Sequence, residues 1–332
     1  MSDADLVDRD FHREHEGLAY HGHWYNIPCK AIMIPNQKVV VINGETPVER
    51  ACEVLIQNGI ISAPVWDESR KQFVGMFDYR DIVTYVLLSL KREINPDNES
   101  YEFQELLRLA RAQKPIPAKL AADLSQKNPF FSVMGETPLS QLVDVFGKGV
   151  HRVAVMSDGL AGIISQSTLL KYLWNNASKY AELQQIFKKT LKELGLGAKT
   201  VISVPADLSV IEALRIMVNS DISSVAILNP RGAIVANLSM TDIKWLMRAE
   251  RFPMLWESCI KFVSFVDQQQ GIADGRDKTP VFDVTESSTL EHTIGKLIST
   301  RAHRVWVVEK THNHVVSVVS LTDILRVLTP PE

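Results

Sequence analysis

Short apolar segments and amphipathic helical patterns alternate along the chain, and the alternation recurs four times. Each copy opens with a short apolar strand that ends in a polar turn, and a helical stripe of apolar residues follows it. In the third copy this stripe runs from Val210 through Leu214 to Met217. Two further strands come next, and a last helix follows a Ser/Thr-x-Thr-Asp segment that is typical of a helix N-cap. The pattern therefore predicts a β-α-β-β-α unit.

Two recurring segments establish the repeat directly. Residues 151–155 and 303–307 both begin with His-Arg and continue as an apolar strand. Residues 238–243 and 319–324 share the order apolar, Ser, apolar, Thr, Asp, Ile, and residues 78–82 and 164–169 are related endings. A three-stranded unit with two helices is too small to bury its own faces, so copies should pair and stack.

The predicted fold class is α/β, with four β-α-β-β-α repeats paired into two modules that stack as a pseudo-fourfold disk. We expect copies 1 and 2 to form one module, and copies 3 and 4 the other. The predicted segments are an N-terminal arm over 1–29, repeat 1 over 30–90, a linker over 91–127, repeat 2 over 128–174, a helical linker over 175–197, repeat 3 over 198–250, a connecting segment over 251–278 and repeat 4 over 279–329.

Composition narrows the class of protein without indicating a chemistry. The chain has 332 residues, of which 45% are apolar, and a formal net charge of −3. This length fits about two or three domains, and the near-neutral charge gives no reason to expect nucleic acid or an anionic membrane as a partner. The three cysteines are far apart, which excludes a disulfide framework and predicts a reduced intracellular protein. The acidic N-terminus predicts no signal peptide, and no apolar run approaches the ~20 residues of a membrane span.

The usual motifs of catalysis and metal binding are not found. The sequence has no G-x-S-x-G elbow and no H-E-x-x-H. The stretch from Gly195 to Thr200 hints at a phosphate loop but lacks its spacing, so we expect a helix end and a turn, with Gly195 or Gly197 at positive φ. The N-terminal histidines, which lack accompanying cysteines, are expected to belong to a solvated or packed arm rather than to a metal site; they are His12, His15, His21 and His23.

The two recurring polar features each allow a structural and a functional interpretation. The His-Arg pairs could place a snorkelling arginine beside a capping histidine, or they could bind an anion such as phosphate. The Ser/Thr-x-Thr-Asp segments could be helix caps only, or the carboxylate could also accept the two hydroxyls of a ribose. The residues alone leave these alternatives open, but their co-occurrence in each module favours a phosphate-plus-ribose ligand, which is a nucleotide.

The repeat resembles the cystathionine-β-synthase (CBS) repeat, and four copies resemble the gamma subunit of the AMP-activated protein kinase. Residues 39–87, which contain Ile-Ile-Ser-Ala-Pro-Val-Trp-Asp, look like the first repeat of a fungal gamma subunit. The connecting segments 170–177, 251–259 and 261–282 are more similar to a sister group, the fungal four-repeat proteins that act in stress and cell-cycle signalling through type 2A-like phosphatases. Since linkers are under no general fold constraint, this second likeness carries the greater weight.

The resemblance implies that AMP, ADP or ATP binds as a ligand in the clefts between repeats, with no other cofactor and no metal. The implied site residues are ribose-binding carboxylates at Asp81, Asp242 and Asp323, phosphate partners at His151, Arg152, His303 and Arg304, and further polar positions at Thr46, Ser223, Ser239, Thr241, Ser288, Ser320 and Thr322. Copy 2 departs from the motif, because Thr168 stands where the carboxylate belongs, so its cleft is expected to be empty or weak. Copies 1 and 3 lack His-Arg and carry Ile61-Ser62 and Ile222-Ser223 instead.

The resemblance also implies a function. We expect a non-catalytic regulator, cytoplasmic and also nuclear, that relays energy, nutrient or stress state to a protein phosphatase or protein kinase catalytic subunit. The alternatives are a gamma-type subunit of an AMP-activated kinase complex and a nucleotide-independent scaffold. Whether the disk forms a homodimer stays open.

Overall fold

The computed structural model describes residues 23–35, 37–90, 101–112, 114–247, 249–274, 283–309, 311 and 313–329. The first half of the described chain contains β1 (Ile42–Asn43), α1 (Val48–Gln57), β2 (Ser62–Asp67), β3 (Gln72–Asp78), α2 (Tyr79–Leu90), α3 (Tyr101–Arg111), α4 (Ala118–Ala121), β4 (Ser132–Met134), α5 (Leu139–Gly147), β5 (Arg152–Met156), β6 (Leu160–Ser165) and α6 (Gln166–Asn175). The second half contains α7 (Ala181–Lys188), β7 (Ser203–Pro205), α8 (Val210–Asn219), β8 (Ser224–Leu228), β9 (Ile234–Ser239), α9 (Cys259–Asp274), β10 (Asp283–Val284), α10 (Leu290–Thr300), β11 (Arg304–Val308), β12 (Val315–Ser320) and α11 (Leu321–Val327). The 3-10 helices of the described residues are Trp24–Asn26, Cys29–Ile32, Ala177–Lys179, Met240–Leu246 and Ala249–Trp256.

The strands form four separate three-stranded sheets, one for each repeat. In every sheet the first strand runs parallel to the second, and the third runs antiparallel to the second. The parallel connection passes through a helix, as such a crossover requires, and the antiparallel connection is a short turn. In repeat 1, for example, Val65 pairs with Ile42 on one side and with Gly75 on the other. The α/β class and the four repeated units are thus confirmed.

The two large hydrophobic cores run across the two modules. One core combines repeat 1 with repeat 3, and a second combines repeat 2 with repeat 4 and the N-terminal residues 24–32. Helix α11 packs along α5, where Arg326 Nε donates to the carbonyl oxygen of Gly147 at 3.1 Å. The predicted stacking of the two modules is thus confirmed, because the amphipathic helices of each module bury their apolar faces against the other module.

Copies that follow one another in the chain, 1 with 2 and 3 with 4, meet through their sheets. Trp306 of β11 packs with Ala226 of β8 and donates its indole N–H to Asn237 Oδ1 at 3.2 Å, which joins repeats 3 and 4. The stacking of Phe73 on Phe130, with ring centroids 4.3 Å apart, joins repeat 1 to the chain that enters repeat 2. Each repeat thus packs its helices against one neighbouring repeat and its sheet against another. This arrangement brings loops from all four repeats toward one another.

The connecting segments depart from the sequence prediction in two places. The last helix of repeat 3, predicted to follow its Ser/Thr-x-Thr-Asp segment, is a 3-10 helix over Met240–Leu246 that includes part of this segment. The helical linker over 175–197 contains one α-helix of eight residues, α7, whose faces bury Leu183 and Phe187. Gly195 and Gly197 have φ of 65° and 88°, so the predicted positive φ is confirmed. None of the helices in the described ranges has the length and apolar content needed to cross a bilayer.

Candidate functional site

The last helices of repeats 3 and 4 begin with a reciprocal cap. Ser320 Oγ accepts from the Asp323 amide at 3.3 Å, while Asp323 Oδ2 accepts from the Ser320 amide at 3.0 Å and from its hydroxyl at 2.7 Å. In repeat 3, Asp242 Oδ2 accepts from the Ser239 amide at 2.8 Å and from its hydroxyl at 3.0 Å. These are capping boxes, which satisfy amides that the helix leaves unpaired. The helix-cap interpretation of the motif is confirmed, and one oxygen of each carboxylate is committed to it.

The second oxygen of Asp323 accepts a hydrogen bond from Lys199. This lysine is not among the site residues predicted from the sequence. Lys199, just before β7, donates from Nζ to Asp323 Oδ1 at 2.5 Å, and its backbone amide donates to Ser317 Oγ at 2.9 Å. Burial acts to raise the pKa of Asp323, but the hydrogen bonds from Lys199 and Ser320 outweigh burial and lower that pKa. A ribose that reaches this carboxylate must therefore share it with Lys199 or displace it.

In repeat 1 the corresponding carboxylate is enclosed by the chain. Asp81 is fully buried, and its two oxygens accept from the backbone amides of Asp78 at 3.0 Å and Ser125 at 2.9 Å. Asp78, which stands at the capping position, accepts in turn from the Asn128 side chain at 2.6 Å. Burial raises the pKa of both carboxyls, and for Asp81 the neighbouring Asp78 adds to the effect. The backbone amides of Asp78 and of the linker residue Ser125 thus occupy both oxygens of Asp81 that a ribose would need.

The cleft beside this carboxylate is also narrow. It lies between repeats 1 and 2, is lined by Met76, Asn128, His151 and Arg152 among others, and encloses about 200 Å³ including space open to solvent. Pockets for drug-sized ligands are usually roughly 300–1,000 Å³. The volume of the repeat 1–2 cleft lies below this range.

Repeat 2 keeps the cap but not the carboxylate. Ser165 Oγ accepts from the Thr168 amide at 3.2 Å and lies 2.9 Å from the Thr168 hydroxyl. The next residue, Gln166, donates from Nε2 to Thr322 Oγ1 at 3.0 Å, so that hydroxyl of repeat 4 is used to join the two repeats. The predicted polar position at Thr322 therefore contacts its neighbouring repeat.

The two His-Arg pairs stand at the starts of β5 and β11 and interact with each other electrostatically. Arg304 Nη2 donates to Ser223 Oγ of repeat 3 at 2.5 Å, and Arg152 is paired electrostatically with Asp78 of repeat 1. Burial, followed by Arg152 and further cations that include Arg304, lowers the pKa of His151 to about 3. Burial and the same two arginines lower the pKa of His303 to about 4. Because these groups act on one another, the residues predicted as separate pairs in two modules form a single cationic cluster.

The cluster opens to solvent without being on an open surface. His303 keeps an exposed side, yet its surroundings desolvate it strongly. His151 and Arg152 line the cleft between repeats 1 and 2, and we call this cleft together with the neighbouring His303 and Arg304 the cationic recess. Burial also lowers the pKa of Arg304, to about 10, and Arg80 adds to that shift while Asp323 opposes it. An anion entering this recess would be met by buried donors in a medium of low dielectric constant, where such contacts are strong.

Arg80 belongs to this cluster and was missed by sequence reasoning. It depresses the pKa of His151 and of Arg304. Its Nη1 donates to Asp221 Oδ1 at 2.9 Å, and Lys127 Nζ lies 2.6 Å from the other oxygen of Asp221. The sequence held one available signal: Arg80 precedes Asp81 at the position that Thr241 and Thr322 occupy in copies 3 and 4.

The remaining predicted positions make local contacts. The Thr46 carbonyl accepts from the Ala118 amide at 2.7 Å, and Ser288 Oγ accepts from the Thr285 amide at 3.1 Å. Thr241 and Ser239 join hydroxyls at 2.7 Å. His23 lies 3.2 Å from Glu182 and stacks on Tyr25, while His12, His15 and His21 lie outside the described residues. No group of metal-ligating side chains occurs among the described residues.

Four similar three-stranded sheets, each followed by a helix, define a protein built from four β-α-β-β-α repeats. A family profile described as the CBS domain matches residues 29–88, 121–175, 192–248 and 277–330. These matches cover more than half of the chain, which therefore belongs to the CBS-domain family.

Comparison with individual proteins adds two likenesses. The chain is 34% identical over 331 residues to Protein SDS23 of Kluyveromyces lactis, which covers 92% of this chain and 62% of that protein. It is 38% identical over 271 residues to Protein sds23 of Sclerotinia sclerotiorum, covering 80% and 50% respectively. The chain thus spans about half to two thirds of the length of these curated relatives.

A solved structure shares the fold of all four repeats. It is a protein of Methanocaldococcus jannaschii described as a candidate archaeal homologue of g-AMPK, with a TM-score of 0.68 and 14% identity. The match covers 91% of this chain and all of that one. At this identity the likeness shows the fold, which confirms the predicted four-repeat architecture.

Proposed function

We propose that the chain is a non-catalytic regulator that binds an adenine nucleotide with its phosphates in the cationic recess. The observation that carries the proposal is the convergence of His151-Arg152 and His303-Arg304 on one recess, with Ser223 as a further donor. Arginine matches the geometry of phosphate oxygens, and a neutral histidine can donate one further hydrogen bond from its ring N–H.

The ribose in this proposal binds to Asp242 or Asp323. Both carboxylates use Oδ2 for the helix cap, which orients the other oxygen. Asp81 is left out of the proposed ligand set because its two oxygens accept from Asp78 and Ser125. Thr168 is left out because it carries no carboxylate. We therefore propose that the clefts of repeats 3 and 4 are the nucleotide sites.

The partner in this proposal is a protein phosphatase or protein kinase catalytic subunit. The likeness to SDS23 proteins supports a regulator, and the sequence resemblance in the linkers favours the phosphatase. Ligand binding would act through its different affinities for two arrangements of the repeats. Affinity purification of the tagged chain with mass spectrometry decides between the two classes of catalytic subunit.

Isothermal titration with AMP, ADP and ATP tests the ligand. We expect Arg304→Ala and Asp242→Asn each to weaken binding by about 1–3 kcal/mol, because each removes a charge-assisted hydrogen bond. Arg50→Ala is the matched control, since Arg50 is exposed and pairs with Glu53 on the outer face of α1. No heat and no thermal shift at millimolar nucleotide would refute the proposal.

One set of contacts favours a nucleotide-independent scaffold as the second candidate. The carboxylates of repeats 1, 3 and 4 all cap their own helices, and Asp323 already holds Lys199. A scaffold needs nothing more from them. In that case nucleotide would leave stability unchanged, while loss of a cap would still cost about 1 kcal/mol.

A further inference from the structure

Repeat 1 supplies its positive charge from an unusual position. Where repeats 2 and 4 begin their second strand with His-Arg, repeat 1 has Ile61-Ser62. Arg80, in the first turn of α2, takes the place of the threonine that the motif has in copies 3 and 4. The charge that the strand of repeat 1 lacks is therefore provided by its last helix.

The geometry directs this arginine into the recess. The Arg80 side chain is only 12% exposed, although arginine is usually a surface residue. Burial lowers the pKa of His151, and Arg80 is among the cations that lower it further, as it is for Arg304. Arg80 donates to Asp221 at 2.9 Å, and Arg304 of repeat 4 donates to Ser223, two residues further along the same segment, at 2.5 Å, so the two guanidinium groups meet at the start of β8. Its hydrogen bond to Asp221 uses one of five guanidinium N–H donors.

Asp221 holds Arg80 in an ion pair whose carboxylate is partly open to solvent. It follows α8 at φ 54° and is 55% exposed, so it can stay solvated when Arg80 leaves it. Lys127 pairs with its other oxygen at 2.6 Å. Burial acts to raise the pKa of Asp221, but Lys127 and Arg80 outweigh burial and keep the carboxylate ionised. The three residues join repeat 1, the linker that follows it and repeat 3.

We infer that Arg80 is a phosphate-binding residue of the recess, and that Asp221 is the internal carboxylate with which the ligand's phosphates compete for it. The identity of the ligand rests on the proposed function, whereas the role of Arg80 concerns any phosphate anion. Binding transfers hydrogen bonds of Arg80 from Asp221 to phosphate oxygens. This transfer loosens a contact between repeats 1 and 3 and couples the ligand to the arrangement of the modules.

Two variants with opposite expected signs test the inference. Titrations with inorganic pyrophosphate and with ATP are compared for the wild type, Arg80→Gln, Asp221→Asn and the surface control Arg50→Gln. We expect Arg80→Gln to weaken both ligands at least tenfold, because it removes a donor and a charge. Asp221→Asn is expected to strengthen both several-fold, because it removes the competing anion. Arg50→Gln should match the wild type within twofold.

A purely structural ion pair gives a different pattern, since losing either partner then breaks the same contact. Equal weakening by Arg80→Gln and Asp221→Asn, or binding by Arg80→Gln within twofold of the wild type, overturns the inference. If Arg80→Gln does not fold, Arg80→Lys takes its place and is expected to retain part of the affinity, with Asp221→Asn still opposite in sign.

The two ligands separate this inference from the proposed function. Arg80-dependent binding of pyrophosphate without binding of any nucleotide supports the inference and refutes the proposed function. Nucleotide binding that does not depend on Arg80 supports the proposed function and refutes the inference. No binding of either ligand refutes both.

Discussion

Gly147 offers the sharpest test of how the repeats are paired. It ends α5 of repeat 2, fully buried against α11 of repeat 4. A Cβ added there would lie 3.1 Å from the Arg326 Cα and 3.3 Å from its backbone nitrogen, where ordinary contacts are 3.4–4 Å. Since these are backbone atoms, the neighbour cannot simply rotate away. Gly147→Ala must push the two helices apart by a few tenths of an ångström.

The expected cost follows from two opposing effects. Overpacking a well-packed contact typically costs about 1–3 kcal/mol. Alanine gains up to ~1 kcal/mol over glycine in a helix interior, and less at a helix end. The shift also strains the hydrogen bond from Arg326 to the Gly147 carbonyl. We expect a net loss of about 1–2 kcal/mol in the free energy of unfolding.

Gly295→Ala is the matched control on α10. Its added Cβ would meet a ring carbon of Trp174 at 3.4 Å, which is an ordinary contact with a side chain. This variant should be neutral or more stable by up to ~1 kcal/mol. Urea unfolding followed by tryptophan fluorescence measures both midpoints, with the slopes expected to stay unchanged. If Gly147→Ala is as stable as Gly295→Ala, α5 and α11 are not in the close contact described.

Two further predictions concern titration. Burial, then Arg152 and further cations, lowers the pKa of His151 from 6.5 to about 3. Below about pH 6.5 the unfolded chain therefore binds a proton that the folded chain does not, and the folded state loses stability as the pH falls. Between pH 7 and pH 5 the wild type should lose about 2 kcal/mol more than His151→Gln in chemical unfolding, and parallel curves would contradict this. Burial raises the pKa of the three buried thiols, to about 11 for Cys29 and about 12 for Cys52 and Cys259. A thiol reagent at pH 8 should therefore label the folded protein very slowly and the denatured protein at three sites per chain, and rapid labelling of the native state would show that a thiol is accessible.

The sequence established the local units and most of the candidate site. Apolar periodicity and the N-cap segments are properties of a few neighbouring residues, so the β-α-β-β-α unit and its four copies could be read from the chain. The motif also located Ser239, Asp242, Ser320 and Asp323 correctly at the starts of the last helices. It did not show that Asp81 would be enclosed by Ser125 of a linker 44 residues further on.

What only the tertiary structure decided is which surfaces meet. The apolar stripes of the helices are similar in all four copies, so the sequence could not tell that repeat 1 shares its core with repeat 3 and repeat 2 with repeat 4. That pairing brings two distant His-Arg pairs together and adds Arg80 to them, 71 residues before His151. The local pattern of apolar and charged residues determines the strands, helices and caps, because these depend on residues that are near neighbours in the chain. The recess depends on contacts between residues far apart in the chain, which form only when the stacked repeats bury their faces against one another.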